Sequence, residues 1–263
     1  MEKNFFTINV SVANVYAEPD FNSPVLTQAL LGESCLWLET RDGWNRIRQW
    51  DQYEGWVHAN FGISRQKTYP ANLTFDGLHG TVYLNPGFTQ AHRHLTFGSA
   101  VIGERLDGKL YVTLPDGSHG WARGKFRSSN RKNSRMNLVK LARRFLGCPY
   151  SWGGKTPTGF DCSGLVQTVF RAVGLSLPRD AKDQAEFFKD HRIDENATRT
   201  GDLHFFGKNN SVTHVAIVTG PKTIIHSRGW VQEESLDEDQ PNYNPKLKSI
   251  YMHSVTVNAF VNS

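Results

Sequence analysis

The sequence is poor in cysteine, in long apolar runs and, through its middle, in acid. Three cysteines, Cys35, Cys148 and Cys162, form no CxxC pair, which excludes a disulfide framework or a zinc ribbon and fits a reducing compartment. No stretch approaches the roughly 18 apolar residues of a membrane span. The opening MEKNFFTINVSVANVYAEP has no unbroken apolar core of a signal peptide. The chain therefore reads as cytoplasmic, or extracellular if a leader has been removed, with no membrane partner. Between Gly117 and Phe160 there is no acidic residue, while basic ones accumulate from Arg123 through Arg131, Arg135 and Arg144 to Lys155. Such a run is either a polyanion-binding strip or a solvated linker entering the polar face of a helix. Nucleic-acid binding also wants aromatics interleaved with the charges, so the second reading is taken and no nucleic acid is expected.

What is present is enough for a globular chain of several domains: 263 residues, 38% hydrophobic, with a net charge of only +5. Residues 1–128 are short β-type runs broken by turns: Val10 to Tyr16, Val25 to Leu30, Cys35 to Thr40, Trp44 to Gln49 and Gly55 to His58. The order then recurs. Gly32 leads to Trp56 of a Gly-Trp-Val and Gly98 to Trp121 of a Gly-Trp-Ala, with Asp42-Gly43 and Asp107-Gly108 as matching hairpin turns. Two copies of a five-strand unit are expected, over 1–66 and 67–128. After a linker at 128–133, Ser134 reads as an N-cap. Leu138, Leu141, Ala142 and Phe145 give one apolar helix face, and Gly147 with Pro149 ends it.

The third domain, 134–263, carries the chemistry. A glycine-rich loop from Tyr150 runs into Asp161-Cys162-Ser163-Gly164 and then LVQTVFRAVGL, whose apolar residues mark a buried helix. At a helix N-terminus the dipole and free N–H groups favour thiolate, so a lowered Cys162 pKa is expected. The alternative is a small buried residue beside an N-cap, Asp161. Two strands, Thr213 to Val218 and Thr223 to His226, flank Thr219 to Lys222. A hairpin centred on Gly220 sets His214 directly opposite His226, so Cys162, His214 and His226 make a nucleophile, a base and a group that orients the base. Zinc would need a further ligand, and the separate His92 and His94 read as surface, so no metal is expected.

QALLGE at 28–33, DGW at 42–44, YEGWV at 53–57 and LPDGSHGWA at 114–122 resemble bacterial SH3-like barrels in tandem. PYSWGG at 149–154, GFDCSGLVQTVF at 159–170, LPRDAKDQ at 177–184, GDLHFF at 201–206, THVAIVTG and IIHS resemble the NlpC-type cell-wall peptidases, a papain-like cysteine peptidase family. The resemblance implies an α+β papain-like peptidase domain preceded by two small all-β barrels, a Cys162–His214–His226 triad, Tyr150 near the scissile carbonyl, and no cofactor. Ala181 departs from relatives that carry a hydroxyl there. The whole arrangement is similar to γ-D-glutamyl-L-diamino acid endopeptidases of the YkfC type (dipeptidyl-peptidase VI). That implies murein-derived peptides with a free N-terminal L-Ala as substrate, with Glu18, Tyr53, Asp161 and Ser163 in substrate contact. An extracellular peptidoglycan endopeptidase with wall-binding barrels, and a non-catalytic wall-fragment binder, are the alternatives. The sequence leaves open the choice between meso-diaminopimelate and L-Lys, and the oligomeric state.

Overall fold

The computed structural model describes residues 4–261. The outer ends of the first and third expected domains, 1–3 and 262–263, lie outside the described residues. The chain divides into two compact units that part between Ser129 and Asn130.

The first unit is all β. Strands β1 (Phe5–Ile8), β2 (Val12–Tyr16), β3 (Val25–Leu30), β4 (Ser34–Arg41), β5 (Trp44–Arg48), β6 (Glu54–His58) and β7 (Gly62–Arg65) form a sheet in the order β3-β2-β6-β5-β4-β1-β7. Strands β8 (Leu73–Phe75), β9 (His79–Tyr83), β10 (Ala91–Thr96), β11 (Ala100–Leu106), β12 (Lys109–Thr113), β13 (His119–Arg123) and β14 (Phe126–Arg127) repeat that order seven places on. Each copy thus has seven strands rather than five. The additional ones are the first and last of each copy, such as β1 and β7, which pair with each other antiparallel. They are too short for a visible alternation of apolar and polar residues. The hairpin turns follow their sequence: Asp42 and Gly43 stand at φ 48° and 81°, Asp107 and Gly108 at 50° and 75°, the left-handed pair a two-residue hairpin requires. Leu31 packs among the core residues of the second sheet, including Phe75 and Val112, and the Ala100 N–H donates to its carbonyl at 2.8 Å.

The second unit is α+β. Helix α1 (Arg135–Arg143) is capped by Ser134, whose hydroxyl accepts from the Asn137 N–H. A two-residue pair, β15 (Lys155–Thr156) with β16 (Gly159–Phe160), leads into α2 (Cys162–Ala172), followed by α3 (Ala181–Phe187). Next come β17 (Arg192–Ile193), β18 (Leu203–Lys208), β19 (Ser211–Gly220), β20 (Thr223–Arg228), β21 (Trp230–Ser235), α4 (Pro245–Ser249) and β22 (Tyr251–Val255). The sheet order is β17-β22-β18-β19-β20-β21, all antiparallel. Helix α2 packs on β19 and β20. Its Leu165, Val166, Val169 and Phe170 are fully buried, each worth about 1.5–3 kcal/mol of apolar transfer.

Two parts of the basic run are not solvated. Arg135 is buried and its guanidinium meets Asp202 at 2.8 Å, and Lys155 is 3% exposed. The segment before α1 is tied down as well, with the Arg131 N–H donating to Ala172 and Asn133 to Phe260. Long basic side chains bury their stems readily when the head finds a partner, and a charge count does not register this. Among the described residues no helix is long and apolar enough to cross a membrane.

Candidate active site

Helix α2 delivers Cys162 because the chain before it is held tightly. Asp161 caps the helix, its Oδ1 accepting from the Gly164 N–H at 2.6 Å, and its own N–H donates to the Gly154 carbonyl at 3.0 Å. A Cβ at position 164 would collide with that same Gly154 carbonyl, so glycine is needed two residues after the cysteine. Arg179, 1% exposed, grips Asp161 through both nitrogens, Nη1 to Oδ1 at 3.0 Å and Nη2 to Oδ2 at 2.5 Å. Its Nη1 also bonds the Ser163 hydroxyl at 3.0 Å. Asp161 and Ser163 are thereby locked into the loop that presents the cysteine.

Strand β19 brings His214 to the same place: the Val215 N–H, one residue along, bonds the Cys162 sulfur, as does the Ser163 N–H. Those bonds favour the thiolate, but burial outweighs them, Asp161 adds repulsion, and the thiol is pushed up to about 11. The expected lowering is therefore corrected. A helix start acts within one turn, whereas Cys162 is 8% exposed and beside a carboxylate. Burial also drives His214 down to about 3, with the charges of His226 and Arg228 adding to the effect. Both shifts favour the uncharged forms, a thiol at Cys162 and a neutral imidazole at His214.

The histidines meet, though not directly across the ladder. The register pairs Ile217 with Ile225 and Val218 with Ile224, then slips at Thr219 so that Gly220 pairs with Thr223. The turn is centred on Pro221 and Lys222, with Lys222 at φ 53°, rather than on Gly220. Continued along the strands, this register sets His226 opposite Ala216, on the same face as His214 but one diagonal step away, still within reach of an imidazole. His214 Nε2 lies 2.9 Å from His226 Nδ1, with the rings nearly perpendicular.

Glu234, on β21, is the residue the sequence reading missed. Its Oε2 is 2.7 Å from His226 Nε2 and accepts from Asn244 Nδ2 at 2.6 Å; the histidine bond holds its carboxyl below the usual range. An ionised carboxylate only accepts, so His226 Nε2 donates. In the neutral tautomer of His226 this leaves Nδ1 to accept from His214 Nε2–H, which puts the lone pair of His214 at Nδ1. The only available signal was its place eight residues after His226, where β21 folds back on β20 and pairs Glu234 with Ile224.

Tyr150 lines a cavity of about 310 Å³ together with His214. Burial and the neighbouring Cys162 and Asp161 push its phenol up to about 12. Ala181 opens α3 and is 7% exposed. Glu18 and Tyr53 belong to the first unit: Glu18 is exposed in the turn after β2, and Tyr53 precedes β6. Because Tyr16 pairs with Trp56, the two leave the same end of that sheet. His92, beside His94 on β10, bonds the Ser118 hydroxyl at 3.0 Å. Among the described residues no group of three or more His, Cys, Asp or Glu could hold a metal.

Residues 147–248 match the NlpC/P60 family, and residues 11–62 match the bacterial SH3 domain. The chain carries an NlpC/P60 domain behind an SH3-like all-β region. It is 28% identical over 240 residues to a γ-D-glutamyl-L-lysine dipeptidyl-peptidase of Bacillus cereus, covering 82% of this chain and 72% of the relative. It is 27% identical over 259 residues to dipeptidyl-peptidase 6 of Lysinibacillus sphaericus, covering 90% and 93%. A crystal structure of an NlpC/P60 family protein from Bacillus cereus shares the fold, with a TM-score of 0.83 over 96% of this chain and 99% of that one at 24% identity. The NlpC/P60 domain is a cysteine peptidase.

Proposed function

We propose that the protein hydrolyses the bond between the γ-carboxyl of D-Glu and a diamino acid in murein-derived peptides that keep a free N-terminal L-Ala. The observation that carries this reading is the hydrogen-bonded series His214, His226 and Glu234 on strands whose Val215 N–H, next to His214, meets the Cys162 sulfur. The names of the two long relatives support the substrate class. In the first half-reaction the Cys162 proton moves to His214 Nδ1 as sulfur attacks the γ-carbonyl. His214 returns the proton to the departing amine as the C–N bond breaks, leaving a thioester. Water then attacks the thioester, His214 taking its proton and passing it to the sulfur as the C–S bond breaks. No step asks for a cofactor.

Tyr150 packs beside the reacting carbonyl in this proposal, and the remaining lone pair of Asp161 Oδ2, with Ser163, stands on the acyl side. Glu18 and Tyr53 are assigned to substrate contact through the family resemblance. Three free thiols favour a reducing compartment and thus a cytoplasmic recycling role. Mass spectrometry of L-Ala-γ-D-Glu-diamino acid peptides, free or N-acetylated, tests the reading. Release of L-Ala-D-Glu from the free-amine peptide alone is expected. Equal cleavage of both would replace it with a broader wall endopeptidase. Glu18→Gln should narrow the gap between the two substrates.

A further inference from the structure

The cavity beside His214 is cationic. Its lining includes Tyr150, His214, Arg228, Lys246, Leu247 and Ile250, and no carboxylate. The positive charge of Arg228 reaches His214, and it also acts on Glu234 behind it, yet no Arg228 ion pair occurs among the described residues, nor one of Lys246. Leu247 is buried beneath, at 2% exposure, while Lys246 stands in solvent. The result is a pocket with an apolar floor and two cations on its wall, neither of them in a direct ion pair among the described residues. Asp161, Ser163 and Cys162 do not line it.

Proton bookkeeping says what belongs there. The base that takes the thiol proton must hand it to the departing nitrogen, so the leaving group sits against His214 rather than against Asp161 and Ser163. The cavity is the space next to His214. Resting on the function proposed above, the geometry points to this cavity as the subsite of the leaving diamino acid, with Arg228 and Lys246 selecting a diamino acid that carries a carboxylate on its side chain. A lysine side chain ends in an ammonium, which the two cations repel. A diaminopimelate side chain ends in an ammonium and a carboxylate together, and the carboxylate offers Arg228 a two-point partner. Repulsion of one ligand and pairing with the other act in the same direction.

The test is kcat/KM on four free-amine peptides: L-Ala-γ-D-Glu-meso-diaminopimelate, the same peptide amidated at the side-chain carboxyl, the same amidated at the α-carboxyl, and L-Ala-γ-D-Glu-L-Lys. The wild type should favour the first over the lysine peptide by about tenfold or more, and side-chain amidation should abolish that preference. Arg228→Gln should bring the ratio of diaminopimelate to lysine peptide toward one. Lys246→Gln, at an exposed position, should move it the same way if Arg228→Gln fails to fold. Equal turnover of the diaminopimelate and lysine peptides by the wild type, or a preference lost only on α-amidation, would overturn the selectivity and leave the proposed function standing. Failure to cleave any of the four would overturn both.

Discussion

His226 Nε2 donates to Glu234 across 2.7 Å, from a ring with no exposure to solvent. In the proposed relay His226 is the neutral tautomer, and that bond then sets Nδ1 of His214 as the bare nitrogen, which would make Glu234 a positioning residue acting through two imidazoles. Glu234→Gln should lower kcat on the order of 10²-fold with KM little changed, because a glutamine amide can turn its NH₂ toward Nε2 and reverse the polarity of the relay. Glu234→Asp should recover part of the loss. Steady-state kinetics with parallel melting curves separate this from a folding defect; an unaltered kcat in Glu234→Gln would remove Glu234 from the machinery.

Cys162 and His214 are both held in their neutral forms, the thiol up to about 11 and the imidazole down to about 3. Iodoacetamide labelling of Cys162 should therefore be slow at pH 6 and rise steadily up to about pH 11, since only thiolate reacts. A resting thiolate–imidazolium pair would instead give a rate plateau from mildly acid pH. Rates followed by peptide mapping of Cys162 distinguish the two, and a flat profile between pH 5 and 8 would reverse the assignment. Cys162→Ala should remove hydrolysis in either case while leaving the fold intact.

Arg179 and Asp161 form a buried, two-point ion pair at the foot of α2. Truncating one partner leaves the other charge buried and unmatched, which costs about 3–5 kcal/mol. Arg179→Ala should lower the denaturation midpoint by a corresponding amount and also lose activity, because the same guanidinium holds the Ser163 hydroxyl. Arg179→Lys should recover little of either, since an ammonium cannot match both carboxylate oxygens. A stability loss under 1 kcal/mol in chemical denaturation would show that the pair is dispensable.

What the sequence made legible was what local rules govern. The Asp-Gly turns, the Ser134 and Asp161 caps and the one-sided apolar pattern of α2 each depend on residues within a turn or two, and each stands where its chemistry puts it. The meeting of His214 and His226 was also legible, although the register was misjudged, because the slip at Thr219 depends on how Pro221 and Lys222 share the turn. The rest was set by long-range packing. Nothing near Tyr251–Val255 says that it enters the sheet between β17 and β18. Neither the burial that outweighs the helix dipole at Cys162 nor the closure of the relay by Glu234 and Asn244 is written within a few residues of the groups concerned.

His204 supplies a stability test independent of catalysis. It lies on β18, 1% exposed, with Nδ1 2.7 Å from the Ser254 hydroxyl, and burial lowers its pKa to about 4. In the unfolded chain the same ring takes up a proton near pH 6.5. At pH 7 both states hold it neutral and it contributes no pH dependence. As pH falls below 6.5 the unfolded state gains a proton that the folded state refuses, so stability drops by up to about 1.4 kcal/mol per pH unit, levelling off near pH 4 after a loss of about 3 kcal/mol. His214 adds a slope of the same sign that runs on toward pH 3. Urea unfolding of His204→Gln between pH 4 and 7 should show a shallower decline than the wild type, even though the variant is less stable at pH 7 for want of the native packing. Parallel declines in the two proteins would mean that His204 takes up its proton within the folded state.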